Sequence, residues 1–372
     1  MLFYLSIIAL ATFFAFLANN EKRRHERISA IFYIISALIL FFPLAMRDCG
    51  VDYEEYYRTY LSTATRSWEV YWSLYIGRPE PLYSVLNFAA DYIFKSYQGV
   101  HILCAAISIG FSYAGYYKFK DKVSLTLAIW TFGFNYYIMM YGLNRMMLAV
   151  SIITWAYHYW IEKKTIKFII WAIIAGLFHY SAFLMIPLYF VLLWIDKRQT
   201  LLQGLKWGRV FISVALIFIV IYRVVPQVFS GFSWFVRYQQ YFILSTTFEA
   251  LNNNIQTYPT VLFAIVFRKR IEKYLQDRKI LNMLYIYAML CAVSVIMPVH
   301  RICYYFYPCI GLLNGVIPSS AYDYYNTRES AVQNNIFFNF AMIAVGIFAI
   351  WLITCYGIHW APYINPYKMG HL

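Results

Sequence analysis

The chain has 372 residues, of which 62% are hydrophobic and 13% charged, against about 25% charged in an average soluble domain. This excludes a soluble enzyme, and because the apolar residues run along the whole length it indicates one polytopic membrane domain, residues 1–372. The net charge of +14 does not indicate a nucleic-acid partner, since the cations stand in short clusters between apolar runs, where membrane proteins keep cytoplasmic Lys and Arg.

Taken in chain order, residues 1 to 18 are apolar with no cation ahead of them, and Lys22, Arg23, Arg24 and Arg27 follow. That order disfavours a cleaved signal peptide and predicts a first helix that enters from outside. Length and hydropathy then predict about twelve spans. They lie at 1 to 18, 28 to 46, 97 to 117, 124 to 143, 146 to 161, 168 to 178, 180 to 195, 210 to 226, 255 to 267, 280 to 298, 302 to 318 and 336 to 356. Alternation puts both termini outside and most of the Lys and Arg inside, among them Lys118, Lys120 and Lys122 and the run Arg268, Lys269, Arg270. Residues 168 to 195 are long for one span and short for two, but Lys167 and Lys197 flank them on what should be the same side, so two short helices meeting near His179 are expected. The outer segment 47–96 is expected to carry a helix at 80 to 95 lying at the outer face, and 227–254 is read as a second outer loop. No repeat is present, and the six Cys form neither a disulfide framework nor a metal-ligand spacing.

Polar chemistry concentrates outside. The stretch from Arg47 to Glu80 holds Asp48, Asp52, Glu54, Glu55, Glu69 and Glu80 among Tyr53, Tyr56, Tyr57, Tyr60, Trp68, Tyr71, Trp72 and Tyr75. Such rings either form an interfacial belt or offer faces on which sugars stack. Arg47, Arg145, His179, His300 and Arg301 all fall at outer helix mouths. Singly, each Arg is explained by snorkelling to lipid phosphate and each His by packing. Their convergence on one face points to an anionic, phosphate-bearing ligand, for which the planar, permanently charged Arg fork is suited. No Walker loop, G-x-G-x-x-G, H-E-x-x-H or D-x-D is present, so neither a cofactor nor a metal is called for. Gly311 and Gly315 form a G-x-x-x-G that helix packing accounts for.

Several short pieces, in order along the chain, resemble the EpsG family of Wzy-type polysaccharide polymerases. They are Arg47 followed by Gly50, Asp52 and Tyr56; Glu80-Pro81-Leu82-Tyr83; Asn144-Arg145 with Leu148-Ala149; Phe178-His179-Tyr180-Ser181-Ala182 with Pro187; Arg301-Ile302 with Tyr305-Phe306; and Pro362-Tyr363. One departure is Met146, where the family has Gln. The resemblance implies an all-α, GT-C-like glycosyltransferase in the bacterial cytoplasmic (inner) membrane. It would polymerise undecaprenyl-diphosphate-linked oligosaccharides of capsule, exopolysaccharide or O-antigen on the extracytoplasmic face, with membrane lipid, a flippase and a chain-length regulator as partners. Breaking a bond between an anomeric carbon and diphosphate develops negative charge that Arg47, Arg145 and Arg301 can stabilise, with Tyr56 and Tyr305 also on the substrate-binding side. The proton acceptor is Asp52 or Glu80, with His179 or His300 as the other candidate or as an orienting group. An O-antigen ligase-like enzyme would share the leaving group, and a flippase or transporter of lipid-linked oligosaccharide would share the spans and the outer Arg residues. Against a transporter stand the missing repeat and the scarcity of mid-span charge.

Overall fold

The computed structural model describes residues 1–21, 25–73, 80–197, 254–294, 300–322, 328–356 and 361–370, with a few isolated positions between 224 and 231. The expected span at 210 to 226 and the loop 227–254 therefore lie almost wholly outside the described residues. Among the described residues all regular structure is helical. Four of the described helices are long and apolar enough to cross a membrane: Leu2–Glu21, Glu26–Ala45, Gln98–Tyr117 and the stretch Ile336–Tyr356. Shorter apolar helices cover Thr165–Phe178, Tyr180–Asp196, Ile255–Val266 and Lys279–Val293.

The first two helices, α1 (Leu2–Glu21) and α2 (Glu26–Ala45), pair along a line of small residues. Ala11, Ala15 and Ala18 are fully buried on α1, and their lack of bulk lets α2 approach until Ser29 and Ser36 donate to the Ala18 and Ala11 carbonyls, each at 2.7 Å. Ser36 also pairs with the Tyr113 hydroxyl at 2.9 Å, and each such bond away from water contributes about 0.6 kcal/mol. Pro43 removes a backbone donor near the end of α2, which stops at Ala45.

The segment expected to lie outside folds as α3 (Tyr53–Ala64), α4 (Trp68–Ser73) and α5 (Pro81–Phe94). Behind it run α6 (Gln98–Tyr117), α7 (Leu125–Phe132) and α8 (Asn144–Ile161). α6 and α8 touch through Gly115, where a Cβ would stand 2.8 Å from the Thr154 backbone, and through the Ser112–Ser151 hydroxyl pair at 3.0 Å. α7 continues into a π-helical turn at Gly133–Tyr137 and a 3-10 turn at Ile138–Tyr141 before the chain reverses into α8.

Next come α9 (Thr165–Phe178), a 3-10 turn (Tyr180–Leu184) and α10 (Met185–Lys197). Tyr189 on α10 stacks on Phe168 and bonds Thr165 at 2.8 Å, so the start of α9 meets the middle of α10. The pair is an antiparallel hairpin of two short helices with His179 at its turn, as expected from the flanking lysines.

The remainder comprises α11 (Tyr258–Val266), α12 (Arg268–Leu275), α13 (Lys279–Val293), α14 (His300–Cys303), α15 (Tyr307–Tyr322), α16 (Arg328–Trp351) and α17 (Ala361–Ile364). Gly311 and Gly315 lie on α15 where Tyr116 and the Val123–Ser124 corner pack, which is the helix-packing role expected of them. The C-terminal segment returns to the start of the chain. Tyr4 donates to the Ile364 carbonyl, Tyr367 to the Pro43 carbonyl, and the backbone at Lys368–Gly370 pairs with that at Met46–Asp48. It thereby fixes the exit of α2, where the polar segment begins.

Candidate functional site

Glu80, Arg145 and His179 arrive from three separate elements and meet. Pro81 is the first residue of α5, and the clash between a proline ring and its predecessor holds Glu80 extended at φ −54°, ψ 142°. Its side chain makes no capping bond to its own helix. Instead Oε2 accepts from Arg145 Nη1 at 2.8 Å and Oε1 from His179 Nδ1 at 2.9 Å. The carboxylate is 3% exposed, the Arg145 side chain 29% and the imidazole 18%. Burial alone would raise the Glu80 pKa, but the His179 hydrogen bond and the Arg145 charge outweigh it and hold the carboxyl at about 2.

Arg145 stands in the first turn of α8, at the positive end of that helix, so its own helix disfavours the charge and Glu80 compensates it. Its guanidinium lies 5.6 Å from the centre of the Tyr56 ring and 5.9 Å from that of Tyr83. His179 breaks the chain between α9 and the 3-10 turn in extended conformation, φ −156° and ψ 113°. Because ionised Glu80 can only accept, His179 Nδ1 carries hydrogen and donates to it, leaving Nε2 with the lone pair when the ring is neutral. Beside them the Tyr305 hydroxyl pairs with Ser181 Oγ at 2.9 Å, and Tyr157 donates to the Tyr305 carbonyl.

Asp52 precedes α3 and is half-buried. Its pKa is raised by burial, against the charges of Arg301 and Arg145, which lower it. The structure thus brings Asp52, Arg145 and Arg301 into one electrostatic neighbourhood. Gly50 makes this possible: its φ is +156°, and a Cβ there would stand 2.1 Å from the Tyr141 carbonyl oxygen, so only glycine lets this loop lie against the turn before α8.

The other expected site residues fall differently. Arg47 is 2% exposed and sits behind the site, donating to the Met140 carbonyl at 2.6 Å and to Asn144 Oδ1, under the Tyr141 ring. It touches Arg145 only through the neighbouring Asn144. Tyr56 is buried against Arg145, and Tyr305 is fully buried. Arg301 is exposed on α14. The His300 side chain, like those of Tyr71, Trp72 and Tyr75, lies outside the described residues. Of the outer rings, Tyr57 and Trp68 present 37% and 50% of their surface, whereas Tyr60 is buried. Tyr83 and Asn144 join the site without having been singled out as site residues. Tyr83 was within reach of sequence reasoning, since it follows Glu80 by three residues at the start of a helix and so shares its face.

A model of the EpsG family matches residues 30–368. The chain belongs to the EpsG family. No curated protein and no solved structure matches it. EpsG proteins are Wzy-type polysaccharide polymerases, a glycosyltransferase-type activity on lipid-linked oligosaccharides. Membership and the long apolar helices together make this a multi-pass membrane protein. The matched range contains every residue of the Glu80–Arg145–His179 cluster.

Proposed function

We propose that this protein extends polysaccharide chains on the outer face of the bacterial cytoplasmic membrane, moving a growing glycan from undecaprenyl diphosphate onto the terminal sugar of a fresh lipid-linked repeat unit. The observation that carries this reading is the Glu80 carboxylate holding Arg145 by one oxygen and His179 by the other. A cation for the leaving diphosphate and a base for the incoming hydroxyl are thereby fixed by one buried group.

In the proposed step the acceptor hydroxyl oxygen forms a bond to the anomeric carbon while that carbon's bond to the diphosphate oxygen breaks, and the electron pair leaves with the diphosphate. Arg145 and Arg301 bind its developing charge. The hydroxyl proton passes to His179 Nε2, and the resulting imidazolium is stabilised by Glu80 at Nδ1. Glu80 is an orienting group and not the base, because both its oxygens are engaged and its pKa of about 2 makes it a weak proton acceptor at neutral pH. Asp52, between two arginines and partly open, binds hydroxyls of the sugar, and Tyr57 and Trp68 supply faces for the glycan. Arg47 acts at one remove, by holding Asn144 and hence the start of α8.

This reading places α3 to α5 at the outer surface and retains about twelve spans in a GT-C-like arrangement, with the cationic loops inside. The test is the size distribution of lipid-diphosphate-linked glycans in cells with and without the protein. Single repeat units accumulating outside, with long chains lost, support it. Long lipid-linked chains accumulating instead would make the protein a ligase, and single units trapped inside would make it a flippase.

A further inference from the structure

A second polar site lies behind the first, where residues of α2, α6 and α8 line a small cavity, about 10 Å³ of space for the centre of a water-sized sphere. Arg47, His101, Ser108 and Asn144 contribute its polar wall, and Cys104 and Ala105 part of its apolar wall.

Two of these groups are buried with their hydrogen-bonding capacity unused. Among the described residues Arg47 Nε has no acceptor, although both terminal nitrogens of the same guanidinium are bonded. Among them neither ring nitrogen of His101 has a partner, and both residues are 2% exposed. Charge sharpens the problem. The two groups that accept from Arg47, a backbone carbonyl and an amide oxygen, are neutral. Among the described residues no carboxylate lies within ion-pair distance of it. A buried cation without a counter-charge is among the costliest arrangements in a protein interior.

We propose that this cavity binds one small monovalent anion, chloride in the cell, accepting from Arg47 Nε–H and from the ring N–H of His101. A water could satisfy those donors but would leave the charge of Arg47 uncompensated. The small space between Arg47 and His101 suits a single monatomic ion. The ion joins α2 to α6 and, through Arg47 and Asn144, steadies the first turn of α8 on which Arg145 stands. It is a structural ligand, independent of which reaction the outer cluster performs.

The test uses the full-length protein purified in detergent. Crystals grown in sodium bromide should give an anomalous peak in contact with Arg47 Nε. The melting temperature should be higher in sodium chloride or bromide than in sodium gluconate at equal ionic strength, by about 2 °C or more. Ala105→Leu, which fills the hole with carbon and alters no polar group, should lose both the peak and the halide dependence. If that variant does not fold, the smaller Ala105→Val serves the same purpose. No bromide peak between Arg47 and His101, or equal melting in gluconate and halide, overturns the proposal and leaves the cavity to water.

Discussion

Replacing Glu80 with Gln separates the role of the carboxylate's charge from that of its shape. The amide retains one acceptor oxygen, so a contact to either Arg145 or His179 can persist, but the negative charge is gone and Arg145 stands nearly uncompensated. A carboxyl held at about 2 instead of 4.5 is worth roughly 3 kcal/mol at neutral pH, at 1.36 kcal/mol per unit. Arg145 is 29% exposed and water screens part of that, so about 2 kcal/mol is the expected loss, or a melting temperature lower by roughly 3 °C. Activity should fall much further, by about 10²- to 10⁴-fold, because the imidazolium loses its counter-charge when it takes up the proton. The sign with pH follows from the depressed pKa. The stabilisation is fully present above about 4.5 and is lost as pH falls through about 2, so acid should lower the melting temperature of the wild type across that window and that of Glu80→Gln less. The assay pairs melting curves of purified protein with the glycan ladder of cells carrying equal amounts of each variant in the membrane. Wild-type chain lengths from Glu80→Gln would refute the assignment of Glu80 as the group that orients His179.

Other substitutions probe the surrounding parts. Gly50→Ala places a methyl 2.1 Å from the Tyr141 carbonyl and should displace the Asp52 loop, abolishing long chains while α1 and α2 still insert; unchanged polymer would show that the loop's position does not matter. Asp52→Asn removes a carboxyl whose ionisation burial opposes, so the neutral-pH melting temperature should hold or rise while activity drops at least about tenfold; a loss of stability would contradict the raised pKa. Arg145→Lys keeps the charge but loses the planar fork that meets Glu80 and lies near Tyr56 and Tyr83, and turnover should fall about 10- to 100-fold; a rate equal to wild type would mean that a point charge suffices.

How much of this was legible in the sequence depended on which physical signal each residue carried. The α9–α10 hairpin was, because two lysines flanking an apolar stretch of awkward length constrain both ends to one side. The helix at 81 to 94 was, because a proline at its first position and an apolar run set its bounds. That Arg145 and His179 converge was legible from their places at helix mouths, and Glu80 stood out as one of the six acids between Arg47 and Glu80. The pairing among them was not: two partners for one carboxylate are decided by how α5, α8 and α9 pack. Arg47 shows the opposite limit. At the mouth of α2 it looked like its fellow arginines, and nothing local distinguishes an Arg that reaches the surface from one folded back beneath Tyr141. His101 gave no signal at all, since a lone His within an apolar helix has the same sequence whether it packs or binds.

Arg145 and Arg301, the two arginines that act on Asp52, are unequal in their surroundings, and the difference bears on how such a site tolerates a charged substrate. Arg145 has a carboxylate beside it, so its net field on the proposed diphosphate is reduced; the pair attracts such a substrate less than a bare cation but keeps its geometry fixed while the site is unloaded. Arg301, exposed on α14 and close enough to Asp52 to lower its pKa, is suited to first encounter with an anionic substrate. On this division Arg301→Ala should chiefly raise KM and its salt dependence, whereas Arg145→Ala should chiefly lower kcat. Equal effects of both variants on KM alone would show that the two arginines act as one undifferentiated patch.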